Sequence, residues 1–243
     1  MKQNIEVKIF KNPEKVAKAF AKELLAMISK SAQKRFDIAL SGGQTPKLLF
    51  QYLSSKYREK LPWQRLHFWW GDERCVPAAH ADSNYGVARE LLFSKIEIPA
   101  ENIHPVNGEN DPHEEAVSYG HQLQGQLNNR HGWPVFDLII LGMGNDGHTA
   151  SIFPDQMHLL GSGSVCEVST HPDTRQKRIT LTGKTLNNAN RVYFLVTGEN
   201  KAKRISQIMN NRKKAQKFPA YHIIPENGDF YWYLDEDAAK KIR

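Results

Sequence analysis

The chain has little cysteine and no long apolar run, and each shortage removes a class of protein. Its 243 residues hold two cysteines, Cys75 and Cys166, far apart in sequence. They supply neither a disulfide framework nor a metal quartet, and both read as reduced, partly buried thiols. No apolar stretch approaches the length of a membrane-spanning helix. The opening segment M-K-Q-N-I-E-V-K-I-F carries charges throughout and has no apolar signal core. Ten histidines are present, but no H-E-x-x-H pattern or close ligand cluster gathers them, so no metal site is expected. Repeats, low-complexity tracts and Pro/Gly-rich linkers are missing too. One domain over residues 1–243, in a cytoplasmic enzyme, is the expectation.

What is there describes an ordinary globular protein, with 40% apolar and 24% charged residues. A net charge of +7 suits nucleic acid, a membrane surface or an acidic small molecule. The basic residues gather at Arg212, Lys213, Lys214 and Lys217, and again at Lys240, Lys241 and Arg243. Neither cluster is interleaved with aromatics, so both read as solvated surface. The charge is expected to steer an anionic substrate, with no nucleic-acid or membrane partner.

Apolar runs alternate with stretches of helical period, which predicts an α/β fold. Strands are expected at Ile5–Phe10, Phe36–Leu40, Leu66–Trp70, Leu138–Leu141, Val192–Thr197 and Phe230–Leu234. Helices are expected at Pro13–Ile28, from Pro46 to Leu53, and at Tyr85–Leu92, His113–Leu127, Asn200–Met209 and Glu236–Lys241. Residues Gly161 to Asp173 lack a clear period and are expected to form a flap or an excursion beside the site.

The segment F-D-L-I-I-L-G-M-G-N-D-G-H-T-A-S-I-F-P, Phe136 to Pro154, says most about chemistry. A buried strand breaks into Gly142, Gly144 and Gly147, with Asn145, Asp146 and His148 between and after them. Ligands of open α/β sheets bind outside the carboxyl ends of the strands, so an acid and a histidine stand where a site is expected. Histidine is the side chain best suited to accept a proton near neutral pH. The glycine spacing also fits a dinucleotide fingerprint, but that reading needs a long following helix. Pro154 comes seven residues after Gly147 and would stop it, and Asp146 would repel a pyrophosphate. No cofactor is expected.

Three further segments point to the same place. A-L-S-G-G-Q-T-P, Ala39 to Pro46, joins a strand to a helix. Gly42 and Gly43 let the backbone approach an anion, the helix N-terminus adds positive dipole, and Ser41 and Thr45 offer hydroxyls. It reads as a monophosphate cradle, not a Walker loop, because the G-K-[ST] ending is missing. In H-F-W-W-G-D-E-R-C-V-P, Asp72, Glu73 and Arg74 are expected to project from a strand end. R-I-T-L-T supplies Arg178, and G-E-N-K-A places Lys201 near a helix start, within reach of an anion. Their shared position fits one crevice.

With these residues in view, the chain resembles the 6-phosphogluconolactonase family related to glucosamine-6-phosphate isomerase. The matching segments are S-G-G-Q-T-P, G-D-E-R-C-V-P with D-S-N-Y, L-G-M-G-N-D-G-H-T-A-S-I-F-P, R-I-T-L-T, G-E-N-K-A, Pro219-Ala220 and W-Y-L-D-E-D-A-A. They span nearly the whole chain. The resemblance implies a single three-layer α/β/α domain with a mostly parallel, Rossmann-like sheet of the isomerase/CoA-transferase-like superfamily. It implies hydrolysis of a sugar-phosphate lactone without a cofactor, by a monomer or weak dimer. It makes His148 the general base, with Asp146 orienting it or touching substrate. Ser41, Gly42, Gly43, Thr45, Arg74 and Lys201 would bind the phosphate. Asp72 and Asn84 would hold sugar hydroxyls or position Arg74. The oxyanion would be met by main-chain N–H groups between Gly142 and Gly147 or by Arg178. Ser151 is a poorer nucleophile, since no G-x-S-x-G elbow is present. The isomerase branch has a relay carboxylate where this chain has Phe153, and D-E-Y where it has D-E-R. Both departures favour the lactonase over an isomerase, and the presence of His148 disfavours a non-catalytic sugar-phosphate sensor.

Overall fold

Four consecutive apolar residues between an acid and a glycine make the strand at the centre of the molecule. In a computed structural model describing residues 5–210, 212–226 and 228–242, Leu138–Leu141 is buried along its whole length. A strand pleats its side chains to both faces, so complete burial requires cover on both. The strands are β1 (Glu6–Phe10), β2 (Phe36–Leu40), β3 (Leu66–Trp70), β4 (Asp72–Arg74), β5 (Asn128–Arg130), β6 (Trp133–Val135), β7 (Leu138–Leu141), β8 (Cys166–Thr170), β9 (Lys177–Leu181), β10 (Arg191–Val196) and β11 (Asp229–Asp235). The helices are α1 (Pro13–Lys30), α2 (Gln44–Lys56), α3 (Asn84–Leu91), α4 (Pro112–Gln126), α5 (Gly183–Asn187), α6 (Glu199–Asn210), α7 (Arg212–Ala215) and α8 (Glu236–Ala239).

Six strands pair in parallel in the order β1-β11-β10-β7-β2-β3. From β2 the chain builds outward to β3, and from β7 it builds the other way to β10 and β11. The order therefore reverses between β2 and β7, the position where open α/β sheets leave a crevice. The α/β architecture read from the sequence is the one observed. Among the described residues no helix is long and apolar enough to cross a membrane.

Two expectations need correction. Asp72, Glu73 and Arg74 do not simply project from β3. The chain turns at Gly71, whose N–H donates to Leu40 O and whose carbonyl accepts from Leu181 N, and β4 then opens a second sheet. That sheet is antiparallel, in the order β4-β9-β8, so Arg178 also lies outside the parallel sheet. Nor is Gly161 to Asp173 an irregular flap, because it contains β8, packed beneath α4. Its C-E-V-S-T sequence alternates too weakly to announce a strand. The β5–β6 hairpin was not anticipated either.

Helix ends moved by small amounts. α2 starts at Gln44, so Pro46 occupies the first turn, where its missing N–H costs nothing. Cys75 is partly buried and Cys166 buried, both as free thiols, and burial pushes the Cys75 pKa up to about 11. Lys213, Lys214 and Lys217 are exposed, whereas Arg243 lies outside the described residues.

Candidate active site

The crevice between β2, β7 and β10 opens into a cavity of about 480 Å³. Its floor is the glycine turn after β2. Gly43 stands at the N-cap of α2 with φ 112°, a left-handed conformation that favours glycine, and no side chain caps the helix. The first N–H groups of α2 are therefore presented to the cavity side, as an anion requires. Gly42 is needed for a different reason. A Cβ there would come within 1.9 Å of Asn84 Oδ1, so the Asn84 amide fills the space a side chain would take. Asn84 is held in turn by its Nδ2, which donates to Asp72 O at 2.8 Å.

Ser41 and Thr45 line the cavity, but their hydroxyls are engaged. Ser41 Oγ donates to Ile140 O at 2.8 Å, tying β2 to β7, and Thr45 Oγ1 shares a hydrogen with Thr197 Oγ1 at 2.8 Å. The cradle therefore offers mainly backbone donors.

One wall is cationic. Arg74 and Arg178 sit directly opposite each other on β4 and β9. Arg178 is 8% exposed, and burial lowers its pKa against the raising effect of Asp72. The Nε atoms of both guanidiniums are buried without a hydrogen-bond partner among the described residues. Two underused guanidiniums facing a polar cavity favour an anion. Asp72, also buried, accepts from Ser151 Oγ at 2.6 Å, and Arg178 Nη1 donates weakly to that hydroxyl at 3.4 Å. The opposite wall carries Lys201, whose pKa burial lowers while Asp146 opposes.

His148 lines the cavity with Asp146 behind it. The ring Nδ1 lies 2.7 Å from Asp146 Oδ1, and the His148 N–H donates to the same oxygen at 3.1 Å. Burial alone would raise the Asp146 pKa. Hydrogen bonds from the His148 ring and backbone, with the charge of His148, outweigh it and bring it down to about 2. An ionised carboxylate only accepts, so Nδ1 carries the proton and Nε2 is left as acceptor. The ring also packs on Phe153, centroids 4.7 Å apart, and Arg178 lies over that phenyl ring at 5.6 Å. No helix follows the glycine turn; Thr149 and Ile152 form an isolated bridge instead.

Ten of the sequence-derived residues thus line one cavity: Ser41, Gly42, Gly43, Thr45, Asp72, Arg74, Asn84, His148, Arg178 and Lys201. Asp146 stands behind His148, and Gly147 does not face the cavity. The Gly147 N–H donates to Gly144 O, its φ is 90°, and a Cβ would strike Phe218 at 2.7 Å. The Gly144 N–H is likewise taken by His148 O. Gly147 shapes the turn, and its N–H is not available to substrate.

Sequence reasoning grouped Glu73 with Asp72 and Arg74 at a strand end and missed its role. Its buried carboxylate accepts from the N–H groups of Arg74, Asn84 and Tyr85 at 2.7–2.8 Å, fixing the start of α3. Burial raises its pKa and those hydrogen bonds oppose the rise. Strand alternation was the available signal: in D-E-R the middle residue points away from its neighbours. Among the described residues, no group of three or more His, Cys, Asp or Glu side chains is placed to hold a metal ion.

Known proteins resemble this chain in sequence and fold. A 6-phosphogluconolactonase from Aggregatibacter actinomycetemcomitans is 46% identical over 206 residues, covering 84% of this chain and 87% of that one. The crystal structure of the devB protein matches with a TM-score of 0.94 at 44% identity, over 99% of this chain and 100% of its own. The 6-phosphogluconolactonase from Trypanosoma brucei matches with a TM-score of 0.85 at 30% identity, over 99% of both chains. The model for glucosamine-6-phosphate isomerases/6-phosphogluconolactonase matches residues 11–232, and the chain belongs to that family.

Proposed function

We propose that this protein hydrolyses 6-phospho-D-glucono-1,5-lactone to 6-phospho-D-gluconate, the lactone-opening step of the oxidative pentose phosphate pathway. One observation carries the choice within the family: the histidine bound to Asp146 packs on Phe153, a phenyl ring, where the isomerase relay needs a carboxylate. A phenyl ring neither accepts nor orients the protons that ring opening and isomerisation require. An ester carbonyl is already electrophilic, so a base, a placed water and a charge acceptor suffice.

In this reading the N-terminus of α2, Arg74 and Lys201 hold the phosphate, and Asp72 and Asn84 meet the sugar hydroxyls or their neighbouring cations. His148 Nε2 takes a proton from water as the water oxygen attacks C1. Arg178 is favoured for the oxyanion, because the Gly144 and Gly147 N–H groups are committed within the turn. Collapse breaks the C1–ring-oxygen bond, and the imidazolium returns its proton to that oxygen. Water has then been added across the ester, and the new acid ionises in solvent. A cytoplasmic setting and a monomeric or weakly dimeric state belong to the same proposal.

The test uses lactone made freshly from glucose 6-phosphate, unphosphorylated gluconolactone and glucosamine 6-phosphate, with spontaneous opening subtracted. The expected result is fast hydrolysis of the first, little of the second and no ammonia from the third. Ammonia release without lactone hydrolysis overturns the assignment in favour of the isomerase, and binding without turnover of any of the three makes the protein a sensor.

A further inference from the structure

Three side chains from α6 converge on Asn145, a residue to which the sequence reading gave no role. Asn200 Nδ2 donates to Asn145 Oδ1 at 3.0 Å, and Lys201 Nζ donates to the same oxygen at 2.6 Å. Arg204 Nε donates to the Asn145 main-chain O at 3.0 Å. Arg204 is four residues after Asn200 and three after Lys201, so it neighbours both on the surface of α6. Arg204 also lies over the Phe218 ring at 4.9 Å, and Phe218 fills the space beside Gly147. The turn that carries Asp146 and His148 is thus fastened on both flanks.

The two oxygens of Asn145 do separate work. The main-chain oxygen, held by Arg204, anchors the turn whatever side chain stands at 145. The amide oxygen instead fixes Lys201. A lysine stem is flexible, and its ammonium has three donors. With one donor placed on Asn145, the others are held at the cavity wall that Lys201 lines. We propose that Asn145 is a positioning residue whose amide oxygen presents the Lys201 ammonium to the substrate phosphate. This inference rests on the reading of the cavity as a phosphorylated-lactone site.

A double-mutant cycle tests it. Wild type, Asn145→Ala, Lys201→Met and the double variant are compared by calorimetry with 6-phosphogluconate and by kinetics on the lactone. Asn145→Ala should weaken binding and raise KM by roughly three- to tenfold, as expected for one partly exposed charged hydrogen bond, with kcat within about twofold. In the Lys201→Met background the same change should alter Kd by less than about twofold, because coupled residues are non-additive. Equal losses in both backgrounds overturn the inference. So does a fall in kcat with Kd unchanged, which would make Asn145 a support of the His148 turn only. Thermal unfolding controls for folding; if Asn145→Ala does not fold, Asn145→Gln, which displaces the carbonyl by one methylene, takes its place in the cycle. Wild-type protein that does not bind 6-phosphogluconate overturns the functional reading itself, whereas normal wild-type binding with an additive cycle overturns this inference alone.

Discussion

Ser151 donates its hydroxyl hydrogen to Asp72 Oδ2 at 2.6 Å, and the serine is wholly buried. That geometry makes it a spacer between Asp72 and Arg178, not a nucleophile facing solvent. Ser151→Ala should leave a buried carboxylate short of one donor and lower stability by about 1–3 kcal/mol. Hydrolysis should fall far less than on loss of a general base. Mass spectrometry of enzyme quenched during turnover should find no acyl adduct, and an adduct on Ser151 would reverse the assignment.

Removing the base itself should be severe. His148→Ala is expected to lower kcat by ~10²–10⁴-fold while 6-phosphogluconate still binds, since the phosphate cradle lies on other elements. Steady-state kinetics beside calorimetry separates the two effects. Near-normal turnover by the folded variant would remove His148 from the reaction.

Arg74 reaches the cavity from β4 and Lys201 from α6, so each should contribute to affinity independently of the fold. Arg74→Ala or Lys201→Ala should weaken 6-phosphogluconate binding by roughly 1.5–3 kcal/mol, the usual range for hydrogen bonds to charged groups. Unfolding midpoints should move little. Unchanged affinity in both variants would place the phosphate elsewhere.

Acid should destabilise the protein through a group remote from the catalytic turn. His104 is 7% exposed, stacks on Trp69 and meets His67 across 3.1 Å. Burial, helped by His67 and Arg35 and opposed by Asp37, lowers its pKa from 6.5 to about 4. The unfolded chain then binds the proton more readily than the folded one. The contribution is complete above pH 6.5 and is lost as pH falls towards 4, on the order of 3 kcal/mol. Asp146 acts in a lower window: its folded pKa of about 2 against 3.8 gives a contribution present above 3.8 and lost towards 2. Urea midpoints measured from pH 7.5 to 4.5 should fall steadily in wild type and more gently in His104→Gln. Parallel slopes would clear His104.

The central sheet was legible because its inner strands are short, mostly apolar runs, each followed within two residues by a glycine or a charge. The residues that line the cavity were legible for the same reason, since they follow the ends of those runs. β4 and β9 were not read as a pair. Arg74 and Arg178 meet across about a hundred intervening residues, and a three-residue polar strand has no period to detect. Asn145 and Glu73 escaped because their partners lie on α6 and α3, not in their own motifs. Gly147 was misread as a donor to substrate, when its lack of a side chain serves Phe218 instead.

The cavity draws its lining from both sheets, which meet at Gly71, bonded to Leu40 on one side and Leu181 on the other, and from the helices that follow the parallel strands. A molecule gripped at both walls would act as a removable crosslink between them. Sugar phosphates should therefore raise the melting temperature in proportion to the logarithm of their concentration above Kd.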